Sequence, residues 1–275
     1  MLNWITRYAP VADLLLDGDG RLADSLLDVG SGSVGFACVG GDQPFVGIDV
    51  DFWGPPAPAM VPLRSVPGRL PFADRAFDTV ISLDALEHVP PGEREGFVAE
   101  IARVAARRAV VVCPCDEAAG IDELMRRMYA RRGEEAPGWL WEHAEHGLPT
   151  RAAVAAACAA PEGFAARELA MPNGLLSLLA TVADTDPELQ PLARAEVARR
   201  PGLWADLFRD SADPSSFRVG WVLERHDPAP AAVRRDDLLA TTLAALRCPR
   251  CGGCAPWPER DGIGAIDLTH AWSCA

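Results

Sequence analysis

Three glycines and one aspartate near the start of the chain have types and a spacing that could hold a nucleotide-like cofactor. Gly30, Gly32 and Gly35 fit the pattern G-x-G-x-x-G at the end of an apolar run, and Asp28 stands two residues before the first glycine. Loops of this kind approach either a pyrophosphate or a sulfonium amino acid, and the glycines alone do not separate the two. The aspartate does, because its charge repels a pyrophosphate and attracts an ammonium group.

A second aspartate ends the next apolar segment. Asp49 closes "PFVGID" and is placed to accept hydrogen bonds from both hydroxyls of a ribose. That role would serve NAD equally well, so only Asp28 favours a sulfonium donor. Two simpler interpretations stay open, since Asp28 could cap a helix and Asp49 could merely end a strand.

A third group of polar residues follows the strongest apolar run. Asp84, Glu87 and His88 form D-x-x-E-H directly after "FDTVISL". The ordinary pKa of histidine suits removal of a proton near neutral pH, so His88, with Glu87 beside it, is the predicted catalytic pair. The alternative is that this segment ends a strand and packs against the next helix.

These polar residues must be positioned by a sheet. Apolar runs at 25–30, 44–51, 77–86 and 109–115 predict buried strands, and helical patterns, including one at 9–17, separate them. Such alternation is typical of a parallel sheet that is covered by helices on both faces. A late edge strand is predicted at 216–225.

The order of segments predicts three parts. Residues 1–225 form an α/β domain, residues 226–246 form a Pro-rich linker and a helix, and residues 247–275 form a Cys-rich tail. A helical insertion at about 116–155 carries the aromatic and histidine-rich stretch "PGWLWEHAEHGLPT". We expect this stretch to cover the site as a lid, although it could equally be an ordinary surface helix.

Composition narrows the function classes. The chain has 275 residues, of which 49% are hydrophobic, and a formal net charge of −13. This charge disfavours nucleic acid as a partner, and the absence of Lys removes that residue from the catalytic candidates. No apolar run reaches the roughly 18 residues of a membrane helix, and no leader pattern is evident, so a cytoplasmic protein that does not bind membranes is predicted.

Three separated segments carry a family resemblance. "LLDVGSGSVG", "FVGIDV" and "LPFADRAFDTVISLDALEHVP" resemble, in order and spacing, the motifs of class I S-adenosylmethionine-dependent methyltransferases of type 11. The resemblance covers about residues 10–115. It implies a Rossmann-like, doubly wound, mostly parallel seven-stranded sheet and methylation, on O or N, of a small-molecule or sugar-type acceptor. The implied S-adenosylmethionine-binding residues are Asp28, Gly30, Ser31, Gly32, Gly35, Asp49, Val50, Leu70 and Leu83.

The segment before "LPF" departs from the family pattern. Relatives carry an acidic residue there that binds the adenine amino group, whereas this chain has "RSVPGRLPF". The adenine contacts are therefore left to backbone and apolar groups, of which Leu70 is the one we name.

Two further functions stay open beside this one, and a third is disfavoured. Asp84, Glu87 and His88 resemble the metal site of the small-RNA 2′-O-methyltransferases and the ubiquinone-pathway O-methyltransferases, which implies Mg²⁺ or Mn²⁺, with His143 or His146 completing the set. The chain could also be a non-catalytic module that docks a partner enzyme. An NAD-dependent enzyme is disfavoured by Asp28.

The tail contains a possible zinc site. Cys248, Cys251 and Cys254 lie in "CPRCGGC", and the tail resembles the small zinc-ribbon domains that activate tRNA and protein methyltransferases. A tetrahedral site needs a fourth ligand, for which Cys274 and His270 are distant candidates. The sequence therefore leaves two alternatives open. In the first, the tail binds zinc and a protein partner, and in the second, the tail binds no metal.

Overall fold

A nine-stranded sheet runs through the part of the chain that the structure describes, which is residues 1–65, 68–252, 259–260 and 264–269. The structure is a computed structural model. Its strands are β1 (Leu26–Val29), β2 (Phe45–Asp49), β3 (Met60–Arg64), β4 (Phe77–Leu83), β5 (Ala105–Pro114), β6 (Phe164–Leu169), β7 (Arg218–Arg225), β8 (Glu259–Arg260) and β9 (Ile266–Asp267).

The strand order is β6-β7-β5-β4-β1-β2-β3-β9-β8. Strands β1 to β5 pair in parallel, whereas β7 pairs antiparallel with both β5 and β6. The chain runs outward from β1 in one direction through β2 and β3, and in the other through β4 and β5. The predicted α/β, Rossmann-like, doubly wound and mostly parallel sheet is confirmed.

Two details of the predicted sheet are wrong. Over the ranges that the structure describes, the sheet has nine strands instead of seven, because β9 pairs in parallel with β3 and β8 pairs antiparallel with β9. The predicted edge strand at 216–225 is internal, because β6 pairs with its outer side. Half-buried and exposed residues alternate along most of strand β6. The strand therefore lacks the apolar run from which it could have been predicted.

Helices cover both faces of the sheet. They are α1 (Leu2–Leu15), α2 (Ala37–Gly40), α3 (Arg94–Val104), α4 (Ala119–Arg132), α5 (Gly138–His146), α6 (Arg151–Ala159), α7 (Gly174–Thr185), α8 (Leu189–Arg199), α9 (Pro201–Asp210) and α10 (Leu238–Ala245). In the described residues, no helix combines the length and the apolar composition that crossing a membrane requires.

Neighbouring residues of each inner strand enter opposite cores, because side chains alternate along a strand. Leu27 belongs to the apolar core on the side of α3 and α6, and Leu26 belongs to the core on the side of α1. Both residues are fully buried. Burial on both faces explains why the inner strands appear in the sequence as continuous apolar runs.

Helix α1 begins seven residues earlier than predicted. The sequence predicts a helix at 9–17, whereas the observed helix runs from Leu2 to Leu15 with Pro10 inside it. Tyr8 and Val11 pack in the core beneath α1, while Leu2 and Ile5 pack against α7 to α9. Packing on two sides outweighs the hydrogen bond that Pro10 cannot donate.

Candidate functional site

The glycine bend after β1 is a backbone shape that other residues would strain. Gly30, Gly32 and Gly35 have φ angles of 77°, 52° and 50°. A Cβ on Gly30 would lie 2.6 Å from the Cβ of Ala85, which follows β4 closely, and a Cβ on Gly35 would lie 2.6 Å from Asp28 Oδ2. Glycine is therefore required here both for conformation and for space.

Asp28 is a fully buried carboxylate in which one oxygen accepts hydrogen bonds and the other has no partner in the described residues. Its Oδ2 accepts hydrogen bonds from the Tyr8 hydroxyl and from the Phe36 N–H, each at 2.9 Å. Its Oδ1 has no partner among the described residues. Burial raises the pKa of Asp28 to about 7, against the effect of these two hydrogen bonds. Phe36 is itself the N-cap residue of α2, which has no side-chain cap, so Asp28 does not cap this helix. The Oδ1 of Asp28 is a buried oxygen without a partner in the described residues, which is costly unless a ligand satisfies it.

Asp49 fastens the end of β2 to the glycine bend. Its Oδ2 accepts the Gly32 N–H at 2.7 Å, and its Oδ1 accepts the N–H groups of Val50 and Asp51 at 2.7 and 3.3 Å. Burial raises the pKa of Asp49. Oδ1 already accepts two hydrogen bonds, whereas Oδ2 accepts one and can accept another, so binding of a ribose stays a prediction that this geometry permits.

The remaining predicted cofactor residues are spread over the domain. Ser31 is buried within the bend, Leu83 is the fully buried last residue of β4, and Val50 is 55% exposed beyond β2. Leu70 lies elsewhere: its N–H donates to Glu100 on α3, and its side chain packs in the core on the α3 side. The structure joins Leu70 to α3, and its adenine contact stays a prediction.

Asp84, at the end of β4, is bound by two buried arginines. Arg218 of β7 donates to both carboxylate oxygens through Nε and Nη2, and Arg7 Nη1 lies 3.1 Å from Oδ2. Although burial opposes the effect, these arginines lower the pKa of Asp84. Asp84 therefore carries the charge that holds α1 and β7 to β4, which sets it apart from the Glu87 and His88 with which it was grouped.

Glu87 and His88 lie next to each other in the turn that follows. Glu87 Oε1 is 3.8 Å from His88 Nε2, and Glu87 Oε2 is buried with no partner in the described chain. Burial and the nearby Asp84 raise the pKa of Glu87 well above its ordinary value. Burial and a neighbouring histidine, His143, lower the pKa of His88, so His88 is neutral at pH 7 and able to accept a proton.

His143, on α5, completes this group. Its ring centroid is 4.9 Å from that of His88, and its Nδ1 lies 2.9 Å from Asp122 Oδ2 on α4. His88 has a matching partner, since its Nδ1 lies 2.7 Å from Glu142 Oε2. The predicted insertion thus reaches the turn after β4. The sequence offered His143 and His146 as equal candidates and gave no sign of Asp122, which lies 21 positions away from His143.

The tail is described only in part. Cys248 is buried, Cys251 is exposed, and the Gly252 N–H donates to the Cys248 carbonyl at 2.8 Å. Cys254, like Cys274 and His270, lies outside the described residues. The zinc site therefore stays a prediction.

One family of proteins matches part of the chain. Residues 27–113 match the family model described as a methyltransferase domain, and this stretch contains the glycine bend, Asp28, Asp49 and the turn with His88. A search of curated proteins gave no match.

Several solved structures resemble the chain at low identity. Magnesium protoporphyrin IX methyltransferase from Synechocystis, with S-adenosylhomocysteine bound, is 14% identical over 78% of this chain and 80% of its own, with a TM-score of 0.44. An S-adenosylmethionine-dependent methyltransferase from Mesorhizobium loti is 13% identical over 78% of this chain and 96% of its own, with a TM-score of 0.42. The strand order observed in this chain defines its fold independently of these likenesses.

Proposed function

We propose that this chain transfers a methyl group from S-adenosylmethionine to a small-molecule or sugar-type acceptor, on oxygen or nitrogen. The observation that carries the proposal is Asp28, a buried carboxylate at the glycine bend with one oxygen that has no partner among the described residues. The methyltransferase-domain match over residues 27–113 supports the same function.

The donor fits the charges and the shape of the bend. The ammonium group of a methionine moiety would satisfy Asp28 Oδ1, whereas the double charge of a pyrophosphate would be repelled by it. The positive φ angles of Gly30 and Gly35 form the tight bend, and the absence of a Cβ lets Ala85 and Asp28 pack closely against it. Asp49, at the end of β2, would hold the ribose hydroxyls.

The reaction asks mainly for positioning. Bound S-adenosylmethionine supplies an electrophilic methyl group on a sulfonium, and the chain aligns the acceptor with it and excludes water. Such alignment is worth up to roughly 7–11 kcal/mol in well-oriented cases. His88 would take the acceptor's proton at Nε2, because its Nδ1 is engaged by Glu142, whose charge stabilises the imidazolium that forms.

The acceptor class follows from charge. With a formal net charge of −13, the chain repels polyanions, so a small acceptor is favoured over nucleic acid. A protein partner at the tail is a separate part of the proposal, supported only by the "CPRCGGC" pattern of the sequence.

Labelled S-adenosylmethionine tests the proposal. The chain is incubated with the labelled donor and a panel of hydroxyl- and amine-bearing small molecules that includes nucleotide-linked sugars. We expect label on one class of acceptor, and we expect His88→Gln to lower kcat by about 10²–10⁴-fold while the affinity for S-adenosylhomocysteine stays within about threefold. Glu145→Gln, an exposed neighbour on α5, is the matched control.

Two other outcomes would reject this proposal in different ways. Donor binding without transfer to any acceptor supports the non-catalytic module, with His88 packing the turn. Binding of NAD in place of S-adenosylhomocysteine removes both functions.

A further inference from the structure

Glu87, His88 and His143 bring three metal-ligating atoms together from two separate segments. One ligating atom from each residue lies within 4.8 Å of the other two. Glu87 and His88 belong to the turn after β4, and His143 belongs to α5 of the insertion. We propose that these residues bind a divalent transition-metal ion, and that the ion fastens the insertion to the turn.

Both imidazoles are held in the orientation that a metal ligand needs. A carboxylate engages the Nδ1 atom of each ring: Glu142 at 2.7 Å from His88, and Asp122 at 2.9 Å from His143. A carboxylate at Nδ1 keeps the proton there and leaves the lone pair on Nε2. Histidines that ligate metals are supported in this way by a second layer of carboxylates.

Two of the three ligands also carry buried atoms that lack a partner within the described residues. These atoms are His143 Nε2 and Glu87 Oε2. Both residues are almost fully buried, Glu87 at 1% and His143 at 7% exposure. Leaving buried acceptors unsatisfied is costly, and a single cation would satisfy both. A bridging water is the alternative that the experiment must exclude.

The neighbouring charges select this set of ligands and the class of ion. Asp84 is already bound by Arg218 and Arg7, so it is left out. Two imidazoles and one carboxylate favour Zn²⁺, Co²⁺, Ni²⁺ or Fe²⁺ over Mg²⁺ and Ca²⁺, which prefer oxygen ligands. This preference differs from the Mg²⁺ or Mn²⁺ that the sequence resemblance implies.

The ion would give the insertion a firm anchor. Contacts between α5 and the turn include the polar pair Glu142–His88, in which Glu142 is half exposed. A metal bridge from Glu87 and His88 to His143 would add three coordinate bonds to this contact. In this arrangement His88 acts as a ligand, and direct proton transfer by His88 belongs to the metal-free protein.

Titration of the chelator-treated chain with Co²⁺ tests the proposal. Co²⁺ bound by nitrogen and oxygen gives visible absorption without the intense thiolate charge-transfer bands that binding at the tail cysteines would add. We expect one Co²⁺ per chain with this spectrum, and we expect it to persist in Cys248→Ser. His143→Gln and Glu87→Gln should weaken binding at least 100-fold, Asp122→Asn about 10–100-fold, and His146→Gln by less than threefold.

Hydrogen exchange is measured on the parent chain, so the result does not depend on whether a variant folds. Co²⁺ should slow exchange of the α5 amides at least tenfold and should leave α3 unchanged. Absence of binding up to millimolar Co²⁺, equal binding by His143→Gln, or loss of the ion in Cys248→Ser would overturn the proposal. S-adenosylhomocysteine titrated into the same samples reports on donor binding separately, so failure of the ion site is distinguishable from failure of the proposed function.

Discussion

Two buried aspartates at the ends of neighbouring strands, Asp28 on β1 and Asp84 after β4, have opposite electrostatic surroundings. Asp84 is surrounded by the guanidinium groups of Arg7 and Arg218, and its pKa is lowered. Asp28 receives two neutral hydrogen bonds, keeps one oxygen without a partner in the described residues, and has its pKa raised to about 7. Burial alone therefore does not mark a binding site, because a carboxylate binds a further cation only when its charge is not already balanced.

Substitution of Asp84 is expected to have the largest effect on the stability of the chain. Asp84→Asn removes the charge that two buried arginines share, so we expect the free energy of unfolding to fall by about 3–5 kcal/mol. Urea denaturation of the variant and the parent chain measures it. A loss below about 1 kcal/mol would mean that the arginines find other partners and that the two aspartates are more alike than the structure indicates.

Substitution of Asp28 by Asn should raise the stability of the chain instead of lowering it. Because the folded pKa of about 7 exceeds the unfolded value of about 4, Asp28 contributes stability at low pH that is lost as the pH rises through 7. The difference between these two pKa values corresponds to about 4 kcal/mol. We expect Asp28→Asn to recover about half of this free energy at pH 8, because an amide accepts the two hydrogen bonds less strongly than a carboxylate does, and almost nothing near pH 4. Thermal unfolding across this range measures it, and a destabilised variant at pH 8 would contradict the raised pKa.

The smallest effect is the pH dependence of donor binding. An ammonium group binds the ionised form of Asp28, and that fraction falls from about 0.9 at pH 8 to about 0.1 at pH 6 for a pKa near 7. We expect the affinity for S-adenosylhomocysteine to fall about tenfold over this interval. Calorimetry in buffers of different ionisation enthalpy also reports the proton released on binding. A flat profile would place the ammonium group away from Asp28.

The bend at Asp28 could be predicted from the sequence because the residues that form it are close together in the chain. The apolar run of β1, the glycines and Asp28 lie within about ten consecutive residues, and their spacing already predicts a strand followed by a tight bend. Four of the strands that the structure describes were not predicted, and each has a weak local pattern: β3 contains Pro62, β6 is half exposed along its length, and β8 and β9 are two residues long.

The ion pairs of Asp84 could not be predicted from the spacing of residues in the sequence. Arg218 is 134 residues away from Asp84, and its contact depends on β7 pairing antiparallel with β5. The same applies to His143, which reaches His88 only because the insertion folds back onto the turn after β4. Contacts of this kind are set by packing of distant segments, which no local pattern encodes.

A binding cycle measures whether Asp28 receives the ammonium group of the methyl donor. S-adenosylhomocysteine and its analogue without the amino group are titrated calorimetrically into the parent chain and into Asp28→Asn at pH 8. We predict that the parent chain prefers the amino-bearing ligand by about 100-fold and that the variant loses this preference. An equal preference in both proteins, or tighter binding of NAD than of S-adenosylhomocysteine by the parent chain, would contradict this role of Asp28.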